Sequence, residues 1–287
     1  LTTRGGACFD GRARANAGPA SQPVAFVKAP VSIRITILGK SPAWQDAGGA
    51  CSGYLLRYGG RTVVLDCGNG VFAKLRAQIP YEQVDELIIT HLHADHMVDL
   101  VPFAYALFYG PKLREGRPVL HAPPGAREAW RSLCSAFGTE TLLEDAFDLR
   151  EYDPAAELAI EGARVRFQLV PHFIETYAAE VQLDGEAERF VFSADCGPNE
   201  ELVEFARGAD LLLIEAAREG VPGEAPDPSA GHLSGEQAGA IGRRAEVRRL
   251  VVTHYSDQLD AAKVRANVEA AYGGPVEMAV EGATYEV

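Results

Sequence analysis

The chain has 287 residues, 47% of them hydrophobic, which suits a globular protein with a buried core of one large or two small domains. Lysine and arginine number 27 against 40 aspartates and glutamates, a formal charge of −13. That balance lacks the basic face that long nucleic acid needs and favours a small substrate. No apolar run approaches the ~18 residues that cross a bilayer. The five cysteines (Cys8, Cys51, Cys67, Cys134 and Cys196) are odd in number and show no C-x-x-C, which points to reduced thiols and the cytoplasm.

Residues 1 to about 30 are rich in Gly, Ala, Arg and Pro without periodicity and read as a flexible leader outside the fold. Order is expected from 31 to 287, as a single domain. Val31 to Leu38 alternates as a strand. Tyr54 to Tyr58 and Arg61 to Asp66 flank Gly59-Gly60 and read as a hairpin. A helix is expected over 71–78, a strand over Asp85 to Thr90, and a helix near 98–109 carrying Phe103, Tyr105, Phe108 and Tyr109. Such an aromatic stripe is ordinarily core or a dimer face; the other reading is a stack for a nucleobase. A strand at 119–121 and a helix at 125–137 complete the first half. Strands near 147–152, 164–170, 177–183 and 189–194 follow, then a helix near 199–207 and a strand from Asp210 to Glu215. After a Pro-rich loop (221–231) come a helix at 235–245, a strand at 249–253, a helix at 260–271 and two closing strands. Strands then helices, twice over, suggest two sheets packed face to face with helices outside.

Between the strand Glu86 to Thr90 and the aromatic helix lies Thr90-His91-Leu92-His93-Ala94-Asp95-His96. Three imidazoles and a carboxylate at one strand end need partners, because buried polar groups left unpaired are costly. One or two divalent cations are the economical partner, since imidazole nitrogen and carboxylate oxygen are ordinary metal ligands. His172, Asp195 and His254 each terminate an apolar strand, where open sheets place their chemistry. Taken alone, either histidine reads equally as a core or rim residue, and Asp195 as a helix cap. As a set with the T-H-x-H-x-D-H motif they extend the ligand inventory.

These pieces, with Asp66 closing the first hairpin and Ser-Ala before Asp195, resemble the metallo-β-lactamase fold superfamily over residues 31–287. The resemblance implies an α/β fold, the αββα four-layer sandwich, with two divalent metal ions at the strand ends. Zinc comes first, with manganese or iron as alternatives. It also implies the ligand split: His91, His93 and His172 on one ion, Asp95, His96 and His254 on the other, Asp195 bridging, and a hydroxide shared between ions roughly 3.5–4 Å apart as nucleophile. Asp66 is expected behind the site, orienting a ligand histidine.

Glu215, followed seventeen residues later by His232-Leu233-Ser234-Gly235-Glu236-Gln237-Ala238, looks like the ribonuclease Z-like phosphodiesterases. In them the histidine contacts the scissile phosphate and protonates the leaving oxygen, and the glutamate positions that histidine. Ser234 with Gln237 also fits a capping box, so His232 would precede a helix N-terminus that favours an anion. The bland reading is a loop histidine and a surface acid. Ribonuclease Z proper carries a long tRNA-gripping arm between the equivalents of His172 and Asp195. Here 22 residues separate them, room for two strands and a turn. The compact form, with Ser52 to Leu56, is similar to bacterial atypical class II cyclic-nucleotide phosphodiesterases, from which a homodimer is expected. Cys196 is expected as a buried thiol pointing away from the ligands.

The expected function is therefore hydrolysis of a small phosphodiester, with Asp95 ligating and taking a proton, and His232, tuned by Glu215, as general acid. The alternative is the same metal core acting on a lactone, β-lactam or thioester. A tRNA 3′-processing endonuclease and a non-catalytic metal-binding module complete the set.

Overall fold

Alternation along the strands decides the layers. In the hairpin of β2 (Gly53–Tyr58) and β3 (Arg61–Leu65), Tyr54, Leu56, Val63 and Leu65 join one apolar cluster, while Leu55 and Val64 join another. Neighbouring side chains leave a strand on opposite faces, so both faces of this sheet are covered. The computed structural model describes residues 32–111, 115–221 and 223–287; the expected leader at 1–30 lies outside them.

The first half runs β1 (Arg34–Gly39), β2, β3, α1 (Val71–Gln78), β4 (Glu86–Ile88), α2 (Ala94–Met97), α3 (Leu100–Tyr109), β5 (Val119–Ala122), α4 (Ala126–Ser135), α5 (Leu142–Ala146) and β6 (Asp148–Glu151). The second runs β7 (Leu158–Ile160), β8 (Ala163–Val170), β9 (Thr176–Leu183), β10 (Arg189–Phe192), α6 (Glu200–Phe205), β11 (Leu211–Glu215), α7 (Gly235–Arg244), β12 (Leu250–Thr253), α8 (Ala261–Tyr272), β13 (Glu277–Met278) and β14 (Thr284–Glu286). Among the described residues these strands form two seven-stranded sheets, ordered β14-β1-β2-β3-β4-β5-β6 and β13-β12-β11-β10-β9-β8-β7. The last strand returns to the first sheet, with Ile35 opposite Tyr285.

The inner core is shared by Ile35, Ile37 and Leu56 of one sheet and Val181, Phe190, Phe192 and Leu213 of the other. Outside the first sheet, Phe72, Phe103, Trp130 and Leu142 pack α1, α3, α4 and α5 onto it. Outside the second, Leu202, Ile241 and Val268 do the same for α6, α7 and α8. The result is the four-layer αββα sandwich. Among these helices none is long and apolar enough to cross a membrane.

Each sheet is antiparallel on one side and parallel on the other. The parallel runs are β3-β4-β5-β6 and β10-β11-β12-β13. Parallel strands buried on both faces read as unbroken apolar runs; Leu211–Glu215 is buried at every position. Their C-terminal ends deliver Asp66, the histidine motif, Asp195, Glu215 and His254. The backbone bends sharply there. Asp66 (φ 58°), Ala194 (φ 49°) and His254 (φ 52°) all lie in the left-handed region, conformations that persist where the surroundings enforce them and that gather at functional sites.

The aromatic helix expected near 98–109 forms as α3, with a separate short helix before it. A one-turn helix, α2, holds Ala94 to Met97, and α3 starts at Leu100. Phe103 is buried, whereas Phe108 and Tyr109 are exposed at the far end of α3, roughly 15 Å along its axis from the motif. Phe103 is thus core.

Candidate metal centre

The turn after β4 places its side chains by alternation and then by helix geometry. Thr90 and His91 leave the strand end. His93 stands just before α2, and Asp95 and His96 lie in its single turn. Pro171 and His172 follow β8, Asp195 follows β10, and His254 follows β12. The structure brings all seven together. His91, His93, His172 and Asp195 each offer a ligand atom within 4.8 Å of one another, and so do Asp95, His96, Asp195 and His254. Asp195 is common to both groups. Its Oδ1 lies 3.2 Å from His96 Nε2, and its Oδ2 lies 3.1 Å from His254 Nε2 and 3.9 Å from both His91 Nε2 and His172 Nε2. The helix-cap role open to Asp195 falls to Asn199, whose side chain accepts from Leu202 N at 2.7 Å.

The donor set fits a pair of cations. His91 Nε2, His96 Nε2, His254 Nε2 and Asp195 Oδ1 are buried without a hydrogen-bond partner, an arrangement that costs free energy unless a charged ligand fills the gap. Burial drives His172 down to about 4 and His91 well below its ordinary value. Both are neutral imidazoles, the form that ligates.

The other ring nitrogens are held from behind. Asp66, fully buried, accepts from His96 Nδ1 at 2.7 Å and from Thr90 N at 2.8 Å. His91 Nδ1 pairs with Thr90 Oγ1 at 3.1 Å. His254 Nδ1 pairs with Ser52 Oγ at 2.9 Å, and His172 Nδ1 donates to Gly231 O at 2.6 Å. Such partners fix the ring and its tautomer. Ser52 and Gly231 have no mark in the sequence as ligand supports, since neither neighbours its histidine along the chain.

His232 lies beside this cluster, its ring centroid 4.9 Å from that of His172 and 5.6 Å from that of His254. Its Nδ1 faces Glu215 Oε1 at 3.1 Å, which leaves Nε2 for a ligand. Glu215 is fully buried and also accepts from Cys196 N at 2.7 Å and Leu233 N at 3.2 Å. Burial by itself lowers the His232 pKa, but the hydrogen bond and charge of Glu215 outweigh it and raise it to about 9. The capping box forms: Ser234 Oγ accepts from Gln237 N, and Gln237 Oε1 from Ser234 N. Cys196 is buried, outside both ligand groups, and its thiol is pushed well above its ordinary value by burial.

Residues 61–255 match the beta-lactamase superfamily domain. The chain belongs to that superfamily. An uncharacterized Mycobacterium leprae protein is 32% identical over 259 residues, covering 90% of this chain and 89% of that one. A ribonuclease Z from Mycobacterium marinum is 27% identical over 268 residues, covering 86% of this chain and 95% of its own. The crystal structure of the metallo-β-lactamase fold protein YhfI from Bacillus subtilis superposes with a TM-score of 0.79 at 24% identity, over 90% of this chain and all of that one. Within the superfamily the chain has the metallo-β-lactamase fold and stands on the ribonuclease Z-like branch.

Proposed function

We propose that this chain hydrolyses small phosphodiesters, cyclic nucleotides among them. Two divalent ions would be held by His91, His93, His172 and Asp195 on one side and Asp95, His96, His254 and Asp195 on the other, with zinc the first choice for this nitrogen and oxygen donor set. Bound there, the ions supply Lewis acidity toward the phosphoryl oxygens and lower the pKa of a water.

The observation that carries the reading is the His232–Glu215 pair beside the ligands. Diester hydrolysis breaks a P–O bond to an alkoxide far too basic to leave unprotonated at neutral pH. His232, anchored through Nδ1 and protonated, has Nε2 free to give that oxygen its proton. The buried Glu215 carboxylate keeps the ring charged and oriented. Asp95, among the candidate ligands, would take a proton from the attacking water. The amides at the start of α7, just past His232, favour an anion.

A precursor tRNA fits less well. Between His172 and Asp195 lie β9, a turn and β10 with no arm, and the net charge is −13. Metal-loaded protein should therefore turn over cyclic nucleotides and bis(p-nitrophenyl) phosphate while leaving lactones, a thioester and a tRNA precursor largely untouched. Turnover of the carbonyl substrates alone would overturn the proposal.

A further inference from the structure

Phe173, the residue after His172, is 64% exposed, yet its ring is not loose. It lies over Gly231, where a β-carbon would sit 2.4 Å from Phe173 Cζ and 2.7 Å from Cε1. Gly231 has φ 71°, a conformation natural to glycine. Its carbonyl holds the ligand His172, and its chain neighbour is His232. One glycine thus bonds a metal-site histidine, precedes the candidate acid in the chain and lies under an aromatic ring. The Phe173 ring centroid is 4.9 Å from that of His172 and 5.8 Å from that of His232.

A large apolar side chain gains by burial, so a ring left exposed beside the candidate metal site is suited to a ligand's own apolar surface. Phe173 and His172 both line a cavity of about 1000 Å³, which Leu169, Ile174, Pro228 and Ile241 make apolar. Leu169 is 54% and Ile174 38% exposed. Ligand sites of this kind combine apolar walls with a few polar groups; His172 lines this cavity, and His232 packs against both His172 and Phe173.

We propose that Phe173 is a specificity-determining residue, the platform on which a planar aromatic substituent of the phosphodiester, a nucleobase, stacks at the mouth of this cavity. This rests on the phosphodiesterase reading and narrows its substrate class to nucleotides.

The test compares binding of adenosine 5′-monophosphate and ribose 5-phosphate, which share the phosphate and sugar, to zinc-loaded protein by calorimetry. The wild type should prefer the nucleotide tenfold or more, on the order expected from one base–aromatic stack. Phe173→Ala should bind both alike, and Phe173→Tyr should keep the preference. Equal binding of both ligands by the wild type, or a preference that survives in Phe173→Ala, overturns the proposal. So does a Phe173→Ala protein that keeps the preference but loses a dimer in sedimentation, which would make this face a contact between two copies. Turnover of bis(p-nitrophenyl) phosphate is measured alongside. If that diester is hydrolysed while the two ligands bind alike, only the platform fails; if no diester is hydrolysed, the underlying reading fails and the platform with it.

Discussion

Asp66 accepts a hydrogen bond from His96 Nδ1 at 2.7 Å, with both side chains fully buried. The bond turns Nε2 of that histidine toward Asp195, 3.2 Å away. Removing the carboxylate frees the ring and leaves Thr90 N–H and the His96 ring Nδ1–H without their acceptor. Asp66→Ala should weaken metal binding by about 10- to 100-fold. Competition against a chelator, read by metal content per chain, measures it; unchanged affinity would show that His96 is held by packing alone.

Ser52 stands to His254 as Asp66 does to His96, but with a hydroxyl. A neutral partner gives a weaker bond than a carboxylate. Ser52→Ala should lower the affinity of one ion only, the one beside Asp95, and by less than Asp66→Ala does. A titration with two resolved binding steps, one displaced and one unmoved, is the expected result.

The candidate ligands were legible in the sequence and their supports largely were not, for a physical reason. His91, His93, Asp95 and His96 crowd one strand end, and His172, Asp195 and His254 each close an apolar strand, so local pattern exposes them. The Ser52–His254 bond joins residues 202 positions apart, and no local pattern encodes it. Asp66 and the Ser234–Gln237 capping box were legible because a strand end and a four-residue motif mark them. The layers of the fold followed from the alternation of strands and helices. The elements α5, with five residues, and β7, with three, carry too few residues to show a period. They exist because Leu142 and Leu143 fill the outer core and β7 pairs with β8. Phe173 sits next to a candidate ligand histidine, but its exposure and its glycine floor emerge only in the fold, where Gly231 meets His172 and Phe173.

Away from the site, Glu86 Oε2 pairs with His121 Nε2 at 2.7 Å and Glu86 Oε1 with Arg61 at 3.3 Å. Burial alone would raise the Glu86 pKa, but His121 and Arg61 outweigh it, and the carboxyl is held below its ordinary value. A carboxylate with a lowered folded pKa adds stability that is complete above the unfolded value of ~4.3 and is lost as pH falls through the folded value. Glu86→Gln should therefore cost about 1–2 kcal/mol at pH 7, and its difference from the wild type should shrink below pH ~4. Urea unfolding of both proteins at neutral and acid pH measures it; a gap that widens in acid would contradict the assignment.

Glu215 receives four backbone or ring N–H groups, from His232, Cys196, Ala217 and Leu233. Glu215→Gln keeps the shape but removes the charge that raises His232. It should slow diester turnover less than His232→Ala does, with metal content unchanged in both. If metal content falls in step with activity, the pair supports the ligands and takes no part in proton transfer.

The most direct test of the central claim is the rate of metal-loaded His232→Ala on a diester with a poor leaving group, such as a cyclic nucleotide, alongside its metal content. The expected loss is roughly 10²- to 10⁴-fold, the range for a lost general acid, with two ions per chain still bound. A variant that keeps both its ions and most of its diester activity would contradict it.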